Sequence, residues 1–203
     1  MRYWLVGLFC VGLMSGCGSD DGVSIDNQES DETVSSDEGS NDSPDPSSDV
    51  DSDEDDANYS QIKCNDDLTV VLNLVNKLRA QQQSCGSENY GPVDALTWNA
   101  SLTSAAQVHS NNMANYDFFS HTGLDDSTVA TRVTAQGYTW SYVAENIAGG
   151  QTTAQSVVDA WMTSDGHCKN IMSENTTEMG LACSENSDVT YTYYWTQVFA
   201  KPQ

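Results

Sequence analysis

The sequence predicts an α+β layered domain over residues 63–203, and three observations carry that prediction. Apolar residues recur at helical spacing through the first part of this stretch. Strand-type sequence rich in Tyr, Thr, Trp and Val fills its end. Helices first and strands last are the pattern of an α+β layered fold. Residues 18 to about 62 offer almost no material for a packed core. About 140 residues make one domain's worth of chain, and nothing supports a second domain.

Asp66 and Asp67 open the first helix, where acidic groups suit the positive end of the helix dipole. Leu68, Val71, Leu72, Val75 and Leu78 share a face, and Arg79 with the Gln run carries the helix to Ser84. Cys85-Gly86 ends it, and Gly91-Pro92 marks a loop. Asn99 caps a second helix after Leu96 and Trp98. Leu102, Ala105, Ala106, His109 and Met113 fall on one face of it, so His109 reads as a packed core histidine. Phe118-Phe119-Ser120-His121-Thr122-Gly123 is a loop, and Ser127 to Gln136 is a short helix containing Arg132 and ended by Gly137. Val143-Ala144-Glu145-Asn146-Ile147-Ala148 sets one acid inside an apolar run, where a carboxylate needs partners or a pocket. Thr152 or Thr153 caps a further helix with Val157, Val158, Trp161 and Met162 inward, ending in Ser164-Asp165-Gly166-His167. Strands are expected from Glu178 to Cys183 and from Tyr191 to Ala200.

The chain carries a formal charge of -23, from 30 Asp+Glu against 7 Lys+Arg. Sixteen of the acids lie between Gly18 and Ile62, where there is no Lys or Arg. The acidity therefore belongs mainly to one segment. No basic patch is available for phosphates, which argues against nucleic acid as a partner. Residues 1–16 read as a signal peptide: Arg2 is a short positive region, and the apolar run Tyr3 to Leu13 falls short of the ~20 residues a spanning helix needs. That run leads into Met14-Ser15-Gly16-Cys17, which resembles the bacterial lipobox, with Met14 where Leu is usual. Lipid on Cys17 would hold the protein to the membrane of a bacterial cell envelope, with the outer membrane or cell surface expected in a cell with two membranes. Residues 17–62 then form a disordered acidic tether that lifts the domain off the surface.

Without Cys10 and Cys17, four cysteines remain, an even number that suggests two disulfides in an exported protein. Three pairings are possible. The two local ones, Cys64–Cys85 and Cys168–Cys183, are expected, each closing a short loop. Zinc ranks below this because no Cys-x-x-Cys pair occurs.

Several motifs occur in order: Leu96-x-Trp98, Ala105-x-x-x-His109, Phe119-Ser120-His121, Glu145-Asn146-Ile147-Ala148, Trp161-x-x-Ser164-x-Gly166-His167, Glu178-Met179-Gly180 and Trp195-Thr196-Gln197-Val198-Phe199. Together they resemble the CAP superfamily of cysteine-rich secretory, antigen 5 and pathogenesis-related 1 proteins, also called the SCP domain, in its short bacterial branch. The resemblance implies an α-β-α sandwich, with a small antiparallel sheet between helical layers. It also implies a cleft lined by two histidines, His121 and His167, and by Glu145 as first acid. The family's second acid lies on the helix before the second histidine. Ser164 takes its place here, so the set is incomplete unless Asp165 or Glu178 fills in.

Two imidazoles and one carboxylate suit Zn²⁺ or another divalent cation with an open position. The same trio could serve as an acid/base set for a peptidase-like envelope hydrolase, because histidine titrates near neutrality. It could equally be a buried hydrogen-bond network that fixes the loops. A Ser164–His167 nucleophile pair lacks a Gly-x-Ser-x-Gly elbow. The resemblance favours a non-catalytic module that binds a lipid, small-molecule or protein ligand over a hydrolase.

Overall fold

The computed structural model describes residues 59–203. The expected signal peptide, Cys17 and the expected tether up to residue 58 lie outside the described residues. Packing is already present at Tyr59, which is buried in the main core, and Ile62 O accepts a hydrogen bond from Ala154 N. The packed part thus begins at least four residues before the expected boundary at 63.

Asp67 accepts from Thr69 N and starts a 3-10 turn, Leu68–Val70, that runs into α1, Val71–Arg79. The helix stops at Arg79, short of the expected Ser84, because Gln83–Cys85 (β1) pairs antiparallel with Glu88–Tyr90 (β2) in a separate hairpin. Gly86 turns that hairpin at φ +65, and a Cβ there would lie 2.0 Å from Asp165 Oδ2. Thr97–Trp98 (β3) precedes α2, Ala100–Tyr116, which Asn99 caps by accepting from Ser101 N and Leu102 N. The remaining elements are α3 (Val129–Ala135), β4 (Trp140–Gly149), α4 (Ala154–Met162), α5 (Asp165–Ile171), β5 (Glu178–Glu185) and β6 (Tyr193–Pro202). Thr153, not Thr152, caps α4, through Ser156 N.

The main sheet runs β3-β5-β6-β4, antiparallel except where β3 lies parallel to β5. Its two faces separate by residue parity, as a pleated strand requires. Met179, Leu181, Cys183, Trp195 and Phe199 join the core built with α1, α4 and α5. Ala182, Val198 and Ala200 join a second core with Leu102, Ala105 and Ala106 of α2 and Val133 of α3. This is an α-β-α sandwich, as expected. Small residues let α2 lie directly on the sheet: a Cβ on Gly180 would come within 2.2 Å of Thr103 N. That contact accounts for the glycine of Glu178-Met179-Gly180.

The disulfides differ from the expected pairing. Cys64 bonds Cys183, and Cys85 bonds Cys168, so neither Cys64–Cys85 nor Cys168–Cys183 forms. The local pairing fails because the chain entry at Cys64 packs beside β5, while the β1–β2 hairpin packs on α5, where Lys169 Nζ also meets Glu88 Oε1 at 2.6 Å. Arg79 holds the same end of the molecule together from inside. It is fully buried and donates to the carbonyls of Asp94 (2.8 and 2.6 Å), Ile171 (2.6 Å) and Ser173 (3.0 Å). Burial pushes its pKa down to about 10, against the opposing pull of the Asp94 charge.

Candidate functional site

The site is built around β4, an edge strand of the sheet. Adjacent residues on a strand point to opposite faces, and Glu145 and Asn146 use both. Glu145 turns to the α2/α3 side. Its Oε1 accepts from His121 Nδ1 at 2.9 Å and its Oε2 from Arg132 Nη2 at 2.7 Å. The side chains of Arg132 and Glu145 are 3 % and 2 % exposed, so this is a buried ion pair. Arg132 also donates to His121 O and Ser127 O, which secures the loop between α2 and α3. Asn146 turns to the α5 side, donating to His167 O at 3.2 Å and to Gln197 Oε1 at 3.1 Å. Asn170 in turn donates to Glu145 O and Asn146 Oδ1. One strand thereby positions His121 from one face and His167 from the other.

His109 is buried, and its Nε2 lies 2.8 Å from Ser120 O, an acceptor, so this nitrogen carries the proton. The contact anchors the residue just before His121. The packed reading of His109 therefore agrees with its position, and the histidine also positions the cleft loop. His121 itself is 57 % exposed at the side chain. With Nδ1–H donated to Glu145, its Nε2 is the atom left for a ligand.

Burial pushes the pKa of His109 down, with Glu145 opposing and Arg132 assisting. Burial, and then the charge of His121 beside it, does the same to His167. A histidine with a depressed folded pKa contributes fully above the unfolded value of about 6.5, and that contribution is lost as pH falls, because the unfolded chain takes up protons first. The unfolding temperature is expected to drop below about pH 6.5. The drop should be shallower in His109→Gln, and a flat wild-type melting profile from neutral pH to about pH 5 would contradict this reading.

The other candidates divide. Ser164 lies beside His167, lining a cavity with Trp161, but its side chain makes no capping bond to α5. Asp165 lies against Gly86 of the hairpin, away from Glu145. Glu178 accepts from Tyr138 Oη and from Asn99 Nδ2 near the start of β5. Burial, and then the bond to Glu178, push the Tyr138 pKa up. Neither acid completes a second carboxylate. Among the described residues, no group of three His, Cys, Asp or Glu side chains is arranged to hold a metal ion. Glu145 is already engaged by His121 and by a guanidinium, which suits a cation poorly. Arg132 is the functional residue that sequence reasoning placed only as part of a helix. The signal was present, since an acid inside an apolar run demands a buried partner.

A three-layer α-β-α module with His121 paired to Glu145 on one face of the edge strand, and His167 held from the other, is the class this geometry defines. Residues 72–199 match the CAP family, described as the cysteine-rich secretory protein family, and the chain belongs to it. It is 34% identical over 98 residues to the uncharacterized protein YkwD of Bacillus subtilis, covering 48% of this chain and 36% of that protein. It is 26% identical over 131 residues to the uncharacterized membrane protein YlbC of the same organism, covering 64% of this chain and 33% of that protein. The chain thus spans about a third of the length of these curated relatives. Among solved structures, an outer surface protein from Borrelia burgdorferi is similar in fold, with a TM-score of 0.53, 19% identity, and coverage of 76% of this chain and 97% of that one.

Proposed function

We propose that the protein is an extracytoplasmic binding module, tethered by lipid on Cys17, whose cleft around His121, Glu145 and His167 holds a ligand without turning it over. The observation that carries this reading is the clamp on Glu145. Its two oxygens are taken by His121 and Arg132, and Ser164 stands where the family's second acid would be. Both Glu145 oxygens are committed to partners inside the fold, so the peptidase-like alternative would have to rest on the histidines without a free carboxylate.

Two disulfides support an oxidising compartment. The similar proteins include one named a membrane protein and one named an outer surface protein. The anchor rests on Met14-Ser15-Gly16-Cys17 in the sequence.

Purified protein, assayed on peptide and ester libraries with and without Zn²⁺, is expected to show no turnover beyond that of the His121→Ala/His167→Ala double variant. Turnover abolished by either single replacement would sink the binding-only reading. In cells, a palmitate analogue should label the wild type and not Cys17→Ser. Equal labelling of both would remove the anchor and leave the cleft untouched.

A further inference from the structure

Beside His167 lies a cavity of about 280 Å³, lined by Phe119, Tyr191 and Trp161 among others. We propose that this cavity binds one ring of a neutral sugar, stacked on Phe119 and Tyr191, with its polar edge turned to Gln151, Ser164 and His167. The proposal deepens the binding reading above and rests on it.

The aromatic groups come first. Phe119 and Tyr191 remain 46% and 38% exposed, a cost that a folded chain normally avoids for large rings. They are nonetheless held in place. Their centroids lie 5.6 Å apart edge to face, and Tyr191 packs likewise on Tyr194 at 5.7 Å. The Tyr191 ring also lies on Gly149, where a Cβ would approach it to 2.8 Å. Rings fixed before a ligand arrives lose little entropy on binding.

The polar groups narrow the ligand. Gln151 Oε1 is buried and finds no donor among the described residues, an unmet acceptor that a ligand hydroxyl or acetamido N–H would pair. Ser164 makes no capping bond, and burial favours the neutral form of His167. Among the described residues, no Asp, Glu, Lys or Arg lines the cavity, and the nearby charges of Glu145 and Arg132 are spent on each other. A charged ligand would find no counter-ion there. An acyl chain would leave Gln151, Ser164 and His167 facing hydrocarbon without partners. A pyranose offers both kinds of surface: C–H faces for the rings, and hydroxyls around its edge for the polar groups. The volume is near the low end for ligand pockets, which run from about 300 Å³, and so suits a single ring of a longer saccharide.

The test titrates the full purified protein with N-acetylglucosamine trimer and cellotriose, using myristate as an apolar comparator. Calorimetry reads affinity, and saturation-transfer NMR reads which ligand hydrogens touch the protein. Binding of at least one saccharide is expected at about millimolar Kd or tighter, with transfer strongest at the ring C–H face. Phe119→Ala and Tyr191→Ala should each weaken it about fivefold or more, as should Gln151→Leu, with circular dichroism confirming that each variant is folded. Phe119 sits on a loop, so its variant remains informative even if Tyr191→Ala disturbs Tyr194. No saccharide binding by the wild type at about 10 mM, or binding that all three variants retain, would overturn the proposal. Myristate binding without saccharide binding would overturn the sugar while leaving a binding module. Turnover in the hydrolase assay would instead overturn the module.

Discussion

Arg132→Met is expected to destabilise the domain by about 3–5 kcal/mol in denaturant unfolding, because it leaves a buried carboxylate without its cation. Glu145 is 2 % exposed at the side chain and sits 2.7 Å from the guanidinium. His121 Nδ1, 2.9 Å from Glu145 Oε1, is then the hydrogen-bond donor left to the carboxylate. Glu145→Gln in the same chain removes the stranded charge and should recover part of the loss. Methionine also ends the bonds to His121 O and Ser127 O, so the loop that carries His121 should exchange its amide hydrogens faster. A loss below about 1 kcal/mol would show that the pair is solvated and that Glu145 is free for chemistry after all. That outcome would also reopen the hydrolase reading, so one measurement bears on both stability and function.

The second large effect belongs to the disulfides. Cys64–Cys183 and Cys85–Cys168 span sequence separations of 119 and 83 residues. In the chain-entropy model, a loop of roughly 100 residues is worth about 4.7 kcal/mol, against about 3 for the short loops that local pairing would close. Replacing both cysteines of either bridge with alanine should cost about 2–5 kcal/mol. Cys64–Cys183 fastens the chain entry to β5 and Cys85–Cys168 fastens the hairpin to α5, next to His167. Loss of the second bridge should therefore also loosen the cleft, visible as faster exchange around residues 165–171. Non-reducing peptide mapping should find Cys64 joined to Cys183. A Cys64–Cys85 peptide would contradict the packing of the hairpin on α5.

Much of this fold was legible because its signals are local. The Asn99 cap, the buried face of α2 from Leu102 to Met113, and the Tyr-, Thr-, Trp- and Val-rich composition of β6 are each written within a dozen or so residues. The same locality explains the misses. The β1–β2 hairpin is three residues on each side, too short for a period to show, and it lay inside what read as the tail of a helix. α5 was hidden because it restarts only two residues after α4 ends. At the site, the family resemblance picked out His121, Glu145 and His167, and the structure places the first two in contact. It could not show that Arg132 closes the set.

By itself, the sequence determined the layered α+β class, the order of most helices, the two last strands and the even count of cysteines in the domain. The tertiary structure alone decided which cysteines meet, that Arg79 is buried among carbonyls, that Glu145 is clamped by Arg132, and that Phe119, Tyr191 and Gln151 converge on one cavity. The physical reason is the range of the forces involved. Periodicity and capping act between residues a few places apart, so the chain records them directly. Partners such as Cys64 and Cys183 are brought together only when β5 finds its place in the sheet, and no local pattern stores that distance.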